Sequence, residues 1–184
     1  MNTVSGLMLL TSNHIAHDDQ WTFNCSRPGL IFCLGCALEQ LEDPEKPSVM
    51  KKFLLTEMLK VVIDNDQELL QSLNEEQQVS VHLLTVLTDL FNTPDDSITA
   101  SAIEVIVQVC CKMKNDDLVC GLINQVTSQC LEDSSFQHSL PSLNLIGRLL
   151  QSIPPLADLL QRAYSRKIKL NILSMCEHTV VVAE

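Results

Sequence analysis

Residues 75–113, EEQQVSVHLLTVLTDLFNTPDDSITASAIEVIVQVCCKM, decide the fold. In the first half Val79, Leu83, Val86, Leu87, Leu90 and Phe91 recur at three- and four-residue steps, which puts them on one face of a helix. Gln77, Gln78, Ser80, Thr85 and Asp89 take the other face, and Leu84 widens the apolar stripe enough to meet two neighbours. The second half repeats the pattern with Ile98, Ala102, Val105, Ile106, Val109 and Met113. Between them Asn92-Thr93-Pro94-Asp95-Asp96 breaks the run. Pro94 fits a first helical turn, and Asp95 and Asp96 suit the positive N-terminus that follows. The spacing predicts an αα-hairpin. Each large apolar side chain left in water forfeits roughly 1.5–3 kcal/mol, so the hairpin needs further helices stacked on both sides.

Outward from this pair the same period continues. Pro28-Gly29 opens a predicted helix over Leu30–Leu41, and Pro44 and Pro47 separate it from a second over Ser48–Ile63. A short helix, Asp66–Leu73, precedes the central pair. Beyond it come Asp116–Leu131 with Asn115 as its cap, Leu143–Ser152 opened by Pro141, Leu156–Tyr164 after Pro154-Pro155, and Ile168–Cys176. Residues 1–27 read as an irregular lead-in, 28–177 as one helical-repeat domain and 178–184 as an apolar tail. In that tail Val180, Val181 and Val182 offer a route to self-association.

Composition supports helices. Aromatic residues make up only 4% and there are 5 glycines, which is poor material for a sandwich or barrel. Twelve Lys and Arg against 23 Asp and Glu give a formal charge of −11, which excludes a general nucleic-acid-binding surface. No uncharged apolar run approaches the ~18 residues of a membrane helix, and the first basic residue is Arg27, so the N-terminal stretch lacks the charged start of a signal peptide. The chain is therefore expected inside the cell, in cytoplasm or nucleus, with its eight cysteines reduced.

Pro47, Pro94 and Pro141 are spaced 47 residues apart, each at the first turn of a predicted helix. Together with the short-long-long run of helices over 66–113, this spacing resembles the armadillo and HEAT repeat families, whose units run about 40–47 residues. The expected fold is all-α, armadillo/HEAT-like stacked helical hairpins forming an α-solenoid, with an irregular helical bundle as the alternative. The apolar, cysteine-containing helices also resemble those of large meiotic recombination scaffolds, a likeness that rests on no motif and transfers no residue. Both resemblances imply a surface that holds other macromolecules and does no chemistry.

No catalytic constellation emerges. The glycines Gly6, Gly29, Gly35, Gly121 and Gly147 form no phosphate loop, and no cofactor is implied. His82 borders an apolar face without a Cys or acidic neighbour at helical spacing. Cys33-Leu34-Gly35-Cys36 is the one pair with ligand spacing. With Cys25, or with His14 and His17, it would supply a zinc site, and alone it would supply a redox pair. Lying within an apolar helical run, the cysteines read instead as core thiols.

The remaining feature is charge. Between Lys60 and Lys112 there is no Lys or Arg, while Asp64, Asp66, Glu68, Asp95, Asp96 and Glu104 all fall there. The only basic cluster is Arg162, Arg166, Lys167 and Lys169, of which Arg162, Arg166 and Lys169 share a helix face. The expected function is a non-catalytic protein-interaction scaffold, complete or a piece of a larger repeat protein. It would hold a partner with a basic segment in a groove or on the acidic surface from Asp64 to Glu104, with Arg162, Arg166 and Lys169 as a further candidate contact. The alternative is a thiol-based zinc or redox protein using Cys33 and Cys36.

Overall fold

The computed structural model describes residues 22–24, 31–65, 67–113, 115–132 and 139–162. Two short strands, β1 (Thr22–Asn24) and β2 (Ile31–Cys33), pair antiparallel with Phe23 opposite Phe32. Helices follow: α1 (Leu34–Glu42), α2 (residues 48–65), α3 (Gln67–Glu75), α4 (Gln77–Asp89), α5 (Asp96–Met113), α6 (Asp116–Glu132), α7 (Ser139–Ser152) and α8 (residues 155–162). Among the described residues the fold is all-α apart from this strand pair.

Two expectations are corrected here. The first helix does not begin at Leu30, because Ile31, Phe32 and Cys33 are extended and paired. These residue types favour a pleated, half-buried surface, and a three-residue apolar run carries too little period to separate strand from helix. The second correction concerns the prolines. Pro47 is the N-cap of α2, Pro94 lies two residues ahead of α5, and Pro141 sits inside the first turn of α7. Their even spacing therefore marks no common structural position.

Helix α2 is continuous but changes pitch. Ser48–Phe53 and Lys60–Asn65 are α-helical, while Leu54–Leu59 forms a π-segment in which the Lys60 amide reaches back to the Leu55 carbonyl. Thr56 Oγ1 donates to the Lys52 carbonyl at 3.0 Å and so competes with the regular ladder at this point. The wider turn lets Leu54, Leu55, Met58 and Leu59 all bury.

The helices lie in two sets. Helix α4 packs against α1 and α6, while α5 packs between α2 and α7; α4 also packs on α5, and α6 on α7. One core joins both sets, with Leu38, Leu59, Leu73, Leu83, Leu87, Ile98, Ile106 and Leu145 at 0–1% exposure. Ser80, expected on the polar face of α4, is also fully buried, and it is satisfied by donating to the Leu73 carbonyl at the end of α3. Asn115 caps α6 as expected, its Oδ1 accepting from the Leu118 amide at 3.1 Å.

The structure ties the fold to the α4 stripe. Leu87→Asp removes a fully buried side chain and strands a carboxylate, a change of about 5 kcal/mol that matches the whole margin of many domains. The expected result is loss of helical circular dichroism and of the melting transition. A variant with the parent's melting temperature would show that Leu87 is not a core anchor.

Candidate interaction surface

The polar residues of α5 recur every fourth position, Glu104, Gln108 and Lys112, and they face the C-terminal half of α2. Lys60 Nζ lies 2.9 Å from Glu104 Oε2. Gln108 Nε2 donates to the Lys60 carbonyl at 3.1 Å. Lys112 Nζ lies 3.0 Å from Asp64 Oδ1 and donates to the Asp64 backbone carbonyl at 2.9 Å, closing the end of α2. Arg148 of α7 also acts on Glu104, and Cys111 hydrogen-bonds Ser152 of the same helix. These rungs rise together along both helices of each pair, so α2, α5 and α7 run parallel. Lys60, Glu104 and Arg148 are spaced 44 residues apart. Gln108 Oε1 is a buried acceptor with no partner among the described residues.

The expected acidic surface is thereby divided. Asp64 and Glu104 are held below the usual carboxylate range, first by hydrogen bonds from Lys112 and Lys60 respectively. The two lysines that bound the cation-free stretch fold back onto acids within it. Asp95 accepts from the Ser97 amide at 3.0 Å and the Ser97 hydroxyl at 2.7 Å, contacts that hold its carboxyl low. Ser48 also hydrogen-bonds Asp95, which joins the starts of α2 and α5. Asp95 thus caps α5, a role worth about 1 kcal/mol when lost. Asp96 and Glu68 are exposed at the first turns of α5 and α3. Arg162 is exposed near the end of α8, whereas Asp66, Arg166 and Lys169 lie outside the described residues.

A different feature, which the sequence reading missed, lies between α4 and α6. A cleft of about 250 Å³ has Leu84, Leu118 and Leu122 as its floor, with Val81, Gly121, Gln77, Asp117 and Gln125 around it. It continues over the outer side of α4 past His82 and Thr85. Val81 is 45% exposed, and a Cβ at Gly121 would meet nothing within 4 Å. The available signals were an apolar residue on the polar side of α4 and a glycine inside a helical run.

Residues 32–177 match the family described as the meiosis inhibitor protein 1 N-terminal domain. The chain belongs to that family. It is 32% identical over 152 residues to meiosis inhibitor protein 1 of Homo sapiens, and 30% identical over 152 residues to that of Mus musculus. In each case the match covers 82% of this chain and 12% of the relative, so the chain spans only about an eighth of the length of the relatives it matches. No solved structure matches.

Within this family member the Cys33–Cys36 pair is placed more favourably for redox chemistry than its sequence implied, since Cys33 ends a strand and caps α1. Its environment opposes that chemistry. Both residues are buried, at 3% and 0% exposure, and burial with the neighbouring Cys33 thiol pushes Cys36 up to about 12. Burial likewise pushes Cys110 up to about 12. No group of three or more potential ligands gathers among the described residues, and Cys25, His14 and His17 lie outside them. Native protein at neutral pH is expected to leave Cys33, Cys36 and Cys110 unmodified by iodoacetamide, with all three alkylated after unfolding, as read by peptide mass spectrometry. Rapid native labelling of Cys36 would reinstate a reactive thiol.

The carboxylate rungs set a pH dependence. Asp64 and Glu104 have folded values below their ordinary 3.8 and 4.5, so their stabilisation is complete above those values and is lost as pH falls through the folded ones. Both are nearly half exposed, and each pair is worth roughly 0.2–1 kcal/mol. Lys60→Met and Lys112→Met should melt below wild type at about pH 6, and the gap should narrow toward about pH 3 as the carboxylates protonate. A gap that stays constant across that range would remove the charge from the account.

Proposed function

We propose that this chain is a non-catalytic scaffold of stacked helical hairpins that serves a meiotic protein assembly by holding partner proteins on its helical surface. The observation that carries the reading is the parallel stacking of α2, α5 and α7, in which Lys60 pairs with Glu104 across a 44-residue step and Arg148, a further 44 residues on, acts on Glu104 from α7 by its charge. That step lies within the period of armadillo and HEAT arrays, whose neighbouring units bury one another's apolar faces and present a long surface. Residues 28–177 are the helical-repeat domain in this reading, and the family match over 32–177 supports its extent. The meiotic setting is taken from the names of the relatives. An intracellular site agrees with that setting, and no described helix is long and apolar enough to cross a membrane.

Proximity labelling in meiotic cells, with the full chain as bait and Leu87→Asp as its unfolded control, tests this function. A reproducible set of labelled proteins lost in the control supports a folded scaffold. A set shared by both, or an empty set, overturns it.

A further inference from the structure

The charge on this molecule is segregated by helix. Helices α1, α4 and α6 contain no Lys or Arg, and neither does the intervening α3. Among the described residues the lysines and arginines belong to α2, α5, α7, the end of α8 and the connection at Lys46. The residues that line the cleft between α4 and α6 therefore include no Lys or Arg, and the one charged member among them is acidic. Asp117 stands in its wall, Asp116 beside it, and Glu75 and Glu76 are exposed just ahead of α4.

The cleft has an apolar floor, Leu84, Leu118 and Leu122, at 3–6% exposure. At about 250 Å³ it is smaller than the ~300–1,000 Å³ typical of small-molecule sites. It is sized for one or two side chains presented by a larger body. The shallow surface past Val81 and His82 widens it across the outer side of α4 over the same two turns, and a docked helix would lie in the cleft along α4 and α6.

From this apolar floor and cation-free rim we infer that the α4–α6 cleft receives a basic amphipathic helix of a partner protein, with an apolar anchor between Val81 and Gly121 and Lys or Arg beside Asp117. The inference rests on the scaffold reading and names its site and the chemistry of its partner. The anchor supplies burial, while the acidic rim selects charge and accelerates encounter.

Gly121 makes the test clean, because the open space at its Cβ position lets a larger side chain fill the cleft from an exposed helix position. The probes are fluorescein-labelled peptides: KLLKKLLKLLKKLL, a scrambled peptide of the same composition, and a counterpart with Glu for every Lys. Fluorescence anisotropy against the full chain should give saturable one-to-one binding of the first, at least about tenfold tighter than the other two. Gly121→Phe should weaken it at least about tenfold, while Gly121→Ala keeps wild-type binding. Gly121→Ala should also raise the melting temperature, since alanine is favoured over glycine in a helix interior by about 0.5–1 kcal/mol. If Gly121→Phe fails to fold, Val81→Gln on the facing wall makes the same test.

Equal binding of all three peptides, or full binding by a folded cleft-filled variant, overturns the inference. So does a concentration-dependent dimer of the free chain that Gly121→Phe dissolves, because the occupant would then be a second copy. Retention of the whole cellular partner set by Gly121→Phe would also overturn the cleft while leaving the scaffold reading intact. An empty partner set with wild type removes the scaffold reading instead.

Discussion

Everything in this fold depends on the burial of α5. Ile98, Ala102, Ile103, Val105, Ile106, Val107, Val109 and Cys110 leave this helix almost no apolar side in water. A helix apolar around most of its circumference is stable only when surrounded, and α2, α3, α4 and α7 surround it. Its polar residues then have nowhere to go but the seams between neighbours. Glu104, Gln108 and Lys112 occupy such a seam, and because they recur every fourth residue they meet Lys60 and Asp64 in register. Burial supplies the affinity between these helices. The polar rungs, individually worth little, fix how far one helix slides along the next.

This division of labour explains what could be read from the sequence. Helices α2, α4, α5, α6 and α7 were legible because each carries a long periodic stripe, and the cap at Asn115 was legible because capping is local. Asp95 is legible only as an acid suited to the helix N-terminus, since the sequence puts Pro94 inside a first turn that in fact begins at Asp96. The strand pair was not. Ile31–Cys33 is too short for period to decide, and its partner Thr22–Asn24 lies across an intervening segment that no local rule predicts. Ser80 was assigned to the polar face for its residue type, although it shares a helix face with Leu84 and Leu87. A hydroxyl can enter a core when one carbonyl waits for it, here that of Leu73. The proline spacing misled for a related reason. Proline marks the neighbourhood of a helix start without fixing the position, whereas the 44-residue step from Lys60 to Glu104 has structural meaning because the two side chains pair.

The acidic composition resolves in a similar way. A count of charges along the chain suggests one surface from Asp64 to Glu104, but the fold assigns these acids different work. Two are held by lysines of their own seam, and Asp95 terminates a helix. Helices α4 and α6 are instead among those without a Lys or Arg; their few charges are acidic, and they hold an apolar cleft between them. Local sequence could not reveal this, since Val81 and Gly121 are 40 residues apart and face each other only after α5 has turned the chain around.

The Cys33–Cys36 pair shows two environmental effects in opposition. A helix N-terminus favours a thiolate, and this pair has a strand before it and a helix after it, the arrangement in which such thiols become reactive. Desolvation disfavours the same thiolate, and here it prevails: Cys36 is fully buried and its value is driven to about 12. The reason lies in the packing of α1, whose Leu34, Ala37, Leu38 and Leu41 join the common core and draw the cysteines in with them. A motif defined by spacing alone cannot distinguish these outcomes, because spacing specifies the helix and leaves open which side of it meets water.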